Sequence, residues 1–337
     1  MKNNHKIGLI VFIYFFSVNY LFSISSDTLK HIDFEGTIRA KYEYKNISRT
    51  SRFQIRNARF SFTGDLNKVT SYKAELDLSD EGVTKMLDAY IKMKINKKIN
   101  LILGQQKIPF STDNLRSPHQ LYFANRSFIG KQLTSLRDVG LTFKYKIFND
   151  LPLNFIIGTY NGNGLYNQKQ WLKFNEMVYN TRLEYITKDD FGISLNFNTF
   201  LHSMNRMNSF NAGFMYQFSN LHIESEFFYK TYSFAKYDPT QGMFVFIAYN
   251  FNLKSNKAIK ILTPVLRYDY MTKNIRYIDG NEITDSPNSR ITGGLTLSLG
   301  KAFINDIRLN YEYYFPSETG GEANEESKFV FEIVSRF

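Results

Sequence analysis

The 337-residue chain has no cysteine, a single tryptophan (Trp171) and only seven prolines. Without cysteine there are no disulfides, and no thiol near the N-terminus to carry a lipid. Beyond the first 25 residues there is no apolar run of the roughly 18 residues that a spanning helix requires, and mean hydropathy is −0.33. Both argue against a helical membrane protein. Histidine is also scarce. His5, His31, His119, His202 and His222 never recur with Ser, Asp or Glu in a pattern that would activate a nucleophile. The short acidic group Asp77, Asp80 and Glu81 reads as a solvated turn rather than a metal site. No catalytic residue, cofactor or metal is expected.

Aromatic residues are abundant: 23 Tyr and 32 Phe suit strands and the interfacial belts of a membrane barrel. From Ile32 to Lys45 the chain alternates without error. Ile32, Phe34, Gly36, Ile38, Ala40, Tyr42 and Tyr44 share one parity, and Asp33, Glu35, Thr37, Arg39, Lys41, Glu43 and Lys45 share the other. Successive strand side chains point to opposite faces, so one face is apolar and the other charged. Such a strand fits a wall between lipid and water.

The pattern recurs to give about sixteen strands in all, in segments near the roughly 9–11 residues of a tilted membrane strand. They fall near 52–65, 72–78, 87–95, 99–106, 137–146, 153–160, 177–185, 191–200, 209–218, 221–231, 242–252, 261–271, 290–299, 306–315 and 327–337. A parity slip at Asn57 predicts a β-bulge that turns Arg56 and Arg59 inward. Connections alternate: those near 66–70, 96–98, 147–152, 186–190, 219–220, 253–260 and 300–305 are short. Those near 79–84, 107–136, 161–176, 202–208, 232–241, 272–289 and 316–326 are longer, the sorting expected of periplasmic turns and external loops. The chain stops on Phe337, in parity with Phe329, Phe331 and Ile333. Unpaired backbone groups in hydrocarbon cost several kcal/mol each, so the strands must close into a ring. The expected fold is an all-β transmembrane antiparallel barrel with a water-filled interior.

Lys2, His5 and Lys6, the apolar stretch Ile7–Phe22, and Ser23 and Ser25 before Ser26 read as a secretory signal over 1–25, with the barrel domain over 26–337. The net charge is +11. Export makes nucleic acid an unsuitable partner, and small anionic or neutral solutes and the acidic outer leaflet suit the charge instead. The expected location is the outer membrane of a bacterium with two membranes.

Several runs within 52–164 occur in a specific order. Arg56-Asn57-Ala58-Arg59 precedes Gly64, followed by Tyr72-Lys73-Ala74-Glu75-Leu76-Asp77 and Asp88-Ala89-Tyr90-Ile91. Then come Gly104-Gln105-Gln106-Lys107 with Pro109-Phe110, Arg137-Asp138-Val139-Gly140, and Tyr160-Asn161-Gly162-Asn163-Gly164. In this order and spacing the segment resembles the phosphate-selective porin O and P family, although that family more often has paired arginines before the alanine. The resemblance implies a sixteen-stranded barrel, commonly a homotrimer, whose third external loop folds inward to narrow the pore.

That loop corresponds to 107–136. Lys107, Arg116, His119, Arg126 and Lys131 lie on it and Arg137 at its exit, while within the segment only Asp113 opposes them. These six residues are the candidate constriction. Inward parity assigns Arg39, Lys41, Arg52, Arg56, Arg59, Lys73, Lys92, Arg182, Arg267 and Arg308 to the pore lining. Glu43, Glu75, Asp77, Glu184, Asp269 and Glu312 share those faces, so the wall itself reads as weakly selective. The expected function is passive diffusion of small hydrophilic solutes with a mild preference for anions, phosphate among them, set by the basic loop. The competing reading is a non-conducting structural or adhesive barrel that acts through its external loops; conductance separates the two.

Overall fold

The structure, a computed structural model, describes residues 32–337 except 135–136, 166–167, 188–190, 203, 254–257, 279–280 and 316–325. The expected signal segment lies outside the described residues. The chain forms β1 (Ile32–Lys45), β2 (Ser51–Asp65), β3 (Thr70–Asp80), β4 (Val83–Lys94), β5 (Ile99–Lys107), β6 (Arg137–Lys146), β7 (Leu153–Tyr160) and β8 (Val178–Ile186). It continues as β9 (Phe191–His202), β10 (Asn205–Phe218), β11 (Leu221–Tyr232), β12 (Thr240–Tyr249), β13 (Phe251–Asn252) and β14 (Ile261–Met271). A hairpin of β15 (Asn274–Ile278) and β16 (Asn281–Asp285) stands apart before β17 (Asn288–Ser298), β18 (Asn305–Tyr314) and β19 (Lys328–Arg336).

Every neighbouring pair is antiparallel, and β1 pairs with both β2 and β19, which closes the ring. Both β12 and β13 pair with β14 and are one strand interrupted at Asn250, so the seventeen segments make sixteen staves. No helix among the described residues is long and apolar enough to cross a membrane; the strands cross it.

Side-chain burial follows the alternation. On β1, Arg39, Lys41 and Glu43 are buried toward the interior while Ile38 and Tyr44 are exposed outward. Turning that strand over would place Arg39 and Lys41 in hydrocarbon, at about 2–4 kcal/mol for each at the midplane. The seam closes where the Gly36 N–H donates to Phe337 O (2.7 Å) and the Phe337 N–H to Gly36 O (3.1 Å). The Phe337 ring occupies the space a Cβ on Gly36 would need and packs with Phe34 and Phe60.

Three details differ from the sequence expectation. The bulge in β2 lies one residue earlier than Asn57. Arg39 pairs with Asn57 and Ala40 with Ile55, so Arg56 is the extra residue, and Asn57 and Arg59 share the inward face with Arg39 and Thr37. The connection within 79–84, expected to be long, is the two-residue turn Glu81-Gly82, both with positive φ (43° and 92°). That geometry matches the twist of a tight hairpin. Within 202–208 the connection is likewise reduced to 203–204, because β9 and β10 extend toward each other.

The interior is not uniformly polar. On β12, Phe244, Phe246 and Ala248 are buried inward while Met243, Val245, Ile247 and Tyr249 are exposed outward. Both parities are apolar because both faces are covered. The inward side packs on Ile108, Phe110, Phe123, Phe128, Ile129 and Leu133 from the segment between β5 and β6, in one buried cluster.

Candidate functional site

The segment 108–134 lies against the inner face of β8–β19 and β1. It contains α1 (Thr112–Leu115), capped by the Ser111 hydroxyl accepting from the Asn114 N–H (3.2 Å), a 3-10 turn at Pro118–Gln120 and a π-helical turn at Ile129–Leu133. The wall holds its backbone by a row of guanidinium groups. Arg39 Nη2 donates to Ala124 O (2.6 Å), Arg267 Nη1 to Asn125 O (3.0 Å), Arg290 Nη2 to Arg126 O (3.0 Å) and Arg308 Nη2 to His119 O (2.7 Å). The carboxylates of the wall take most of the other donors, Arg308 Nε being buried without a hydrogen-bond partner among the described residues. Glu332 bridges Arg39 (2.6 Å) and Arg308 (3.0 Å), Asp269 bridges Arg267 (2.7 Å) and Arg290 (2.9 Å), and Glu312 accepts from Arg290 (3.1 Å) and Asn125 (2.8 Å). Each of these groups is almost fully buried. Buried charges persist only when paired and hydrogen-bonded, and this row meets both conditions.

At its other end the segment is pinned by Glu226, which accepts from the Ser111 hydroxyl (2.7 Å) and the Asp113 N–H (2.8 Å). A Cβ on Gly130 would lie 2.0 Å from Asp113 Oδ2, so that crossing requires glycine. Asp113 Oδ2 in turn accepts from the Ser127 hydroxyl (2.6 Å).

The motifs of 104–164 also hold structure. Asp138 Oδ1 accepts from the Val139 N–H (2.7 Å) and its other oxygen from the Gly162 N–H. The inward carboxylate thereby ties the Tyr160–Gly164 run to the start of β6. Gln106 and Thr142 are linked (3.1 Å), and Thr142 meets the Tyr160 hydroxyl (2.6 Å). The Tyr160 ring lies where Gly140 and Gly158 leave room for it. Gln105 Nε2 donates to Leu87 O (3.0 Å).

The model of the family "Phosphate-selective porin O and P" matches residues 30–151. Over that stretch, a little over a third of the chain, the sequence is similar to this porin family. Solved barrels share the architecture at low identity. They include an anion-selective porin from Comamonas acidovorans (13% identity, 91% of this chain and 100% of that chain, TM-score 0.65) and OmpF of Salmonella typhi in complex with daunomycin (15%, 93% and 99%, TM-score 0.64). OmpT of Vibrio cholerae, in its trimer form, aligns at 11% identity over 91% of this chain and 99% of that chain, with TM-score 0.63. No curated protein sequence matches the chain. The family match and the barrel fold are those of an outer-membrane channel of a Gram-negative bacterium.

In this barrel the basic residues of the constriction segment are engaged. Lys107 Nζ donates to the carbonyls of Asn114 (2.8 Å), Leu115 (3.0 Å) and Arg116 (3.0 Å). Arg116 forms a two-pronged pair with Glu224, one contact at 3.0 Å, which holds its pKa above the usual arginine range despite burial. Arg126 donates to the carbonyls of Asp113 and Arg116 (2.6 Å to the latter). Burial, reinforced by Arg39, Arg59 and Arg116 and opposed by Asp113, brings its pKa down to about 10. Arg137 pairs with Asp88 (2.8 Å) and Glu75 (3.3 Å), and exposed Lys131 lies in the middle of the π-helical turn. For His119, burial and then the cations Arg336, Arg308 and Arg39 lower the pKa to about 4, so it is neutral at pH 7. Asp113 alone opposes these residues along the segment, but in space Glu224, Glu75 and Asp88 oppose them too. Parity assigns a wall residue to a face, not to the loop residue that will sit on it.

The wall residues divide into two groups. Arg39, Lys41, Arg182, Arg267 and Arg308 are inward but buried beneath the segment. Lys41 pairs with Glu43 (2.8 Å), and Arg182 with Glu184 (2.8 Å) and Asn196 (3.0 Å). Arg52, Arg59, Lys73 and Lys92 lie on β2–β4 and are less covered, although the charge of Arg59 reaches Arg126 on the segment. Arg52 is 63% exposed at the side chain and pairs with Glu43, Arg59 pairs with Asp77 (2.9 Å), and Lys73 with Glu75 (2.8 Å) and Asp88 (3.0 Å). Arg56, in the bulge, is exposed. Sequence reasoning missed Arg290, Glu224, Glu226 and Glu332. Arg290 alternates with Ile291 and was legible by parity; the carboxylates acquire their role only from what crosses the lumen. Among the described residues no group of His, Asp and Glu could hold a metal ion.

Proposed function

We propose that the porin passes small hydrophilic solutes by passive diffusion along the inner face of β2–β7, with a mild preference for anions, and that it assembles as a homotrimer. Segment 108–134 fills the opposite side of the lumen and sets the size limit. The observation that carries the anion preference is on β4. Lys92 and Lys94 contact no carboxylate among the described residues, and Asp65 is the acidic group whose charge reaches Lys92. Lys94 lies in one register row with Asn100 of β5 and Lys144 of β6. Lys144 itself is held by Glu184 (2.8 Å). Uncompensated cations on a narrow aqueous wall raise the local anion concentration, and salt screens the effect over a Debye length of about 10 Å at 0.1 M.

The basic residues of the segment serve as anchors in this reading, since carboxylates and carbonyls occupy them. Phosphate is one admissible solute among small anions. The test is the reversal potential of the reconstituted channel in a potassium chloride gradient. Anion preference is expected, reduced by Lys92→Gln with Lys94→Gln and more pronounced at low salt. Cation preference, or a preference insensitive to both substitutions, refutes the assignment, and absence of conductance favours the adhesive barrel.

A further inference from the structure

We propose that the outer vestibule of the channel binds amphipathic organic anions, in particular a carboxylate carried on an apolar ring. A cavity of about 900 Å³ lies between segment 108–134, the β7–β8 connection and the β15–β16 hairpin. Its volume is in the range of small-molecule sites. Phe110 and Leu133 supply one wall, Leu172 and Phe200 another, and Ile275 of the hairpin a third. A hydrated inorganic anion gains nothing from such surfaces; a ligand with an apolar body sheds water against them.

The charge comes from Lys230 on β11, which lines the same cavity and is 5% exposed. Its ammonium donates to Asn274 Oδ1 and to Ile275 O (2.8 Å) and lies 5.0 Å from the centre of the Tyr232 ring, all neutral, and no third oxygen or nitrogen acceptor meets it among the described residues. The buried arginines beneath the segment each touch a carboxylate. Lys230 touches none; Asp285, whose charge reaches it, is already held by Arg276 (2.9 Å) and the Asn274 amide (2.8 Å). A buried cation with neutral partners and an open cavity in front of it is completed by an anion from that cavity. Asn198 Oδ1, buried and without a donor, also belongs to the lining, so a hydroxyl on the ring finds an acceptor there.

This inference rests on the anion-conducting reading and adds the solute class. Calorimetric titration of the detergent-solubilised full chain uses three probes: cyclohexanecarboxylate, acetate and cyclohexylmethanol. The expected result is binding of cyclohexanecarboxylate at least tenfold tighter than either of the others. Lys230→Gln, checked for folding by heat-modifiable gel migration, should remove that advantage, and so should Phe200→Ser should the first variant not fold. Equal affinity for acetate would reduce the site to a simple anion contact, and equal affinity for the alcohol to an apolar pocket; either overturns the proposal. Chloride conductance of the same preparation is read in parallel. Selective binding without conductance refutes the channel reading alone, and conductance without selective binding refutes the vestibule alone.

Discussion

Replacing Arg267 with Met should loosen the constriction without unfolding the barrel. The guanidinium donates to Asn125 O at 3.0 Å and Arg126 O at 3.3 Å, and lies 4.4 Å from the centre of the Phe123 ring. Arg126 O keeps its bond from Arg290, and Asp269 keeps Arg290 as a partner at 2.9 Å. The substitution therefore leaves no buried carboxylate alone, and Met retains most of the packing volume. What is lost is the guanidinium contact to Asn125 O, about 2 kcal/mol for a bond with a charged donor, and a cation–π contact of about 1 kcal/mol. A loss of about 3 kcal/mol raises the population of the locally detached segment roughly hundredfold. Single-channel recording should show larger open-channel noise and longer high-conductance dwell times, and hydrogen exchange should accelerate at 121–128 but not in β14. Noise and exchange identical to the unsubstituted channel would refute the clamp.

Three further outcomes follow from the same geometry. Gly140→Ala should block assembly, because the new Cβ would lie 2.2 Å from Thr159 O and 2.4 Å from the Tyr160 ring; heat-modifiable migration on gels reads this, and normal folding would contradict the close approach. Glu224→Gln leaves Arg116 buried without its paired carboxylate, with only the charge of Asp113 still acting on it, a local loss of about 3 kcal/mol, expected as proteolytic cleavage within 108–134; resistance equal to wild type would show that the pair does not hold the segment. His119, about 4 when folded against about 6.5 when free, binds its proton in the unfolded or detached state first, so anchoring weakens as pH falls from about 6.5 to 4, by at most about 1.4 kcal/mol per pH unit. Channel noise should rise over that window and not between pH 7 and 9, and His119→Gln should flatten the dependence; a rise confined to pH below 4 would assign it to the carboxylates instead.

Much of this barrel is written in its alternation. β1, β6, β7 and β14 occupy the ranges that parity assigns, because a lipid-facing wall tolerates no error of phase. The tight turn at Glu81-Gly82 was mistaken for a loop by its polarity, although a glycine after an acidic residue between two strands is itself a hairpin signal. The apolar run on both parities of β12 was the local sign that its inner face is covered, and it reads that way once both faces are considered. The partners of the segment's cations were beyond reach: Arg116 and Glu224 are 108 residues apart, and nothing in either strand or loop alone encodes the crossing.

The one-sided docking of segment 108–134 divides the sixteen staves into two populations under different selection. Where the segment lies, each stave is packed on lipid outside and on protein inside, so a substitution on either face disturbs a fitted surface. Across the lumen, Arg52, Lys92 and Lys94 on β2 and β4 keep access to water on the inner face, and charges at such positions can be exchanged or shortened with little consequence for folding. Solute preference can therefore drift along one half of the wall while the other half, with its guanidinium row, keeps the aperture constant.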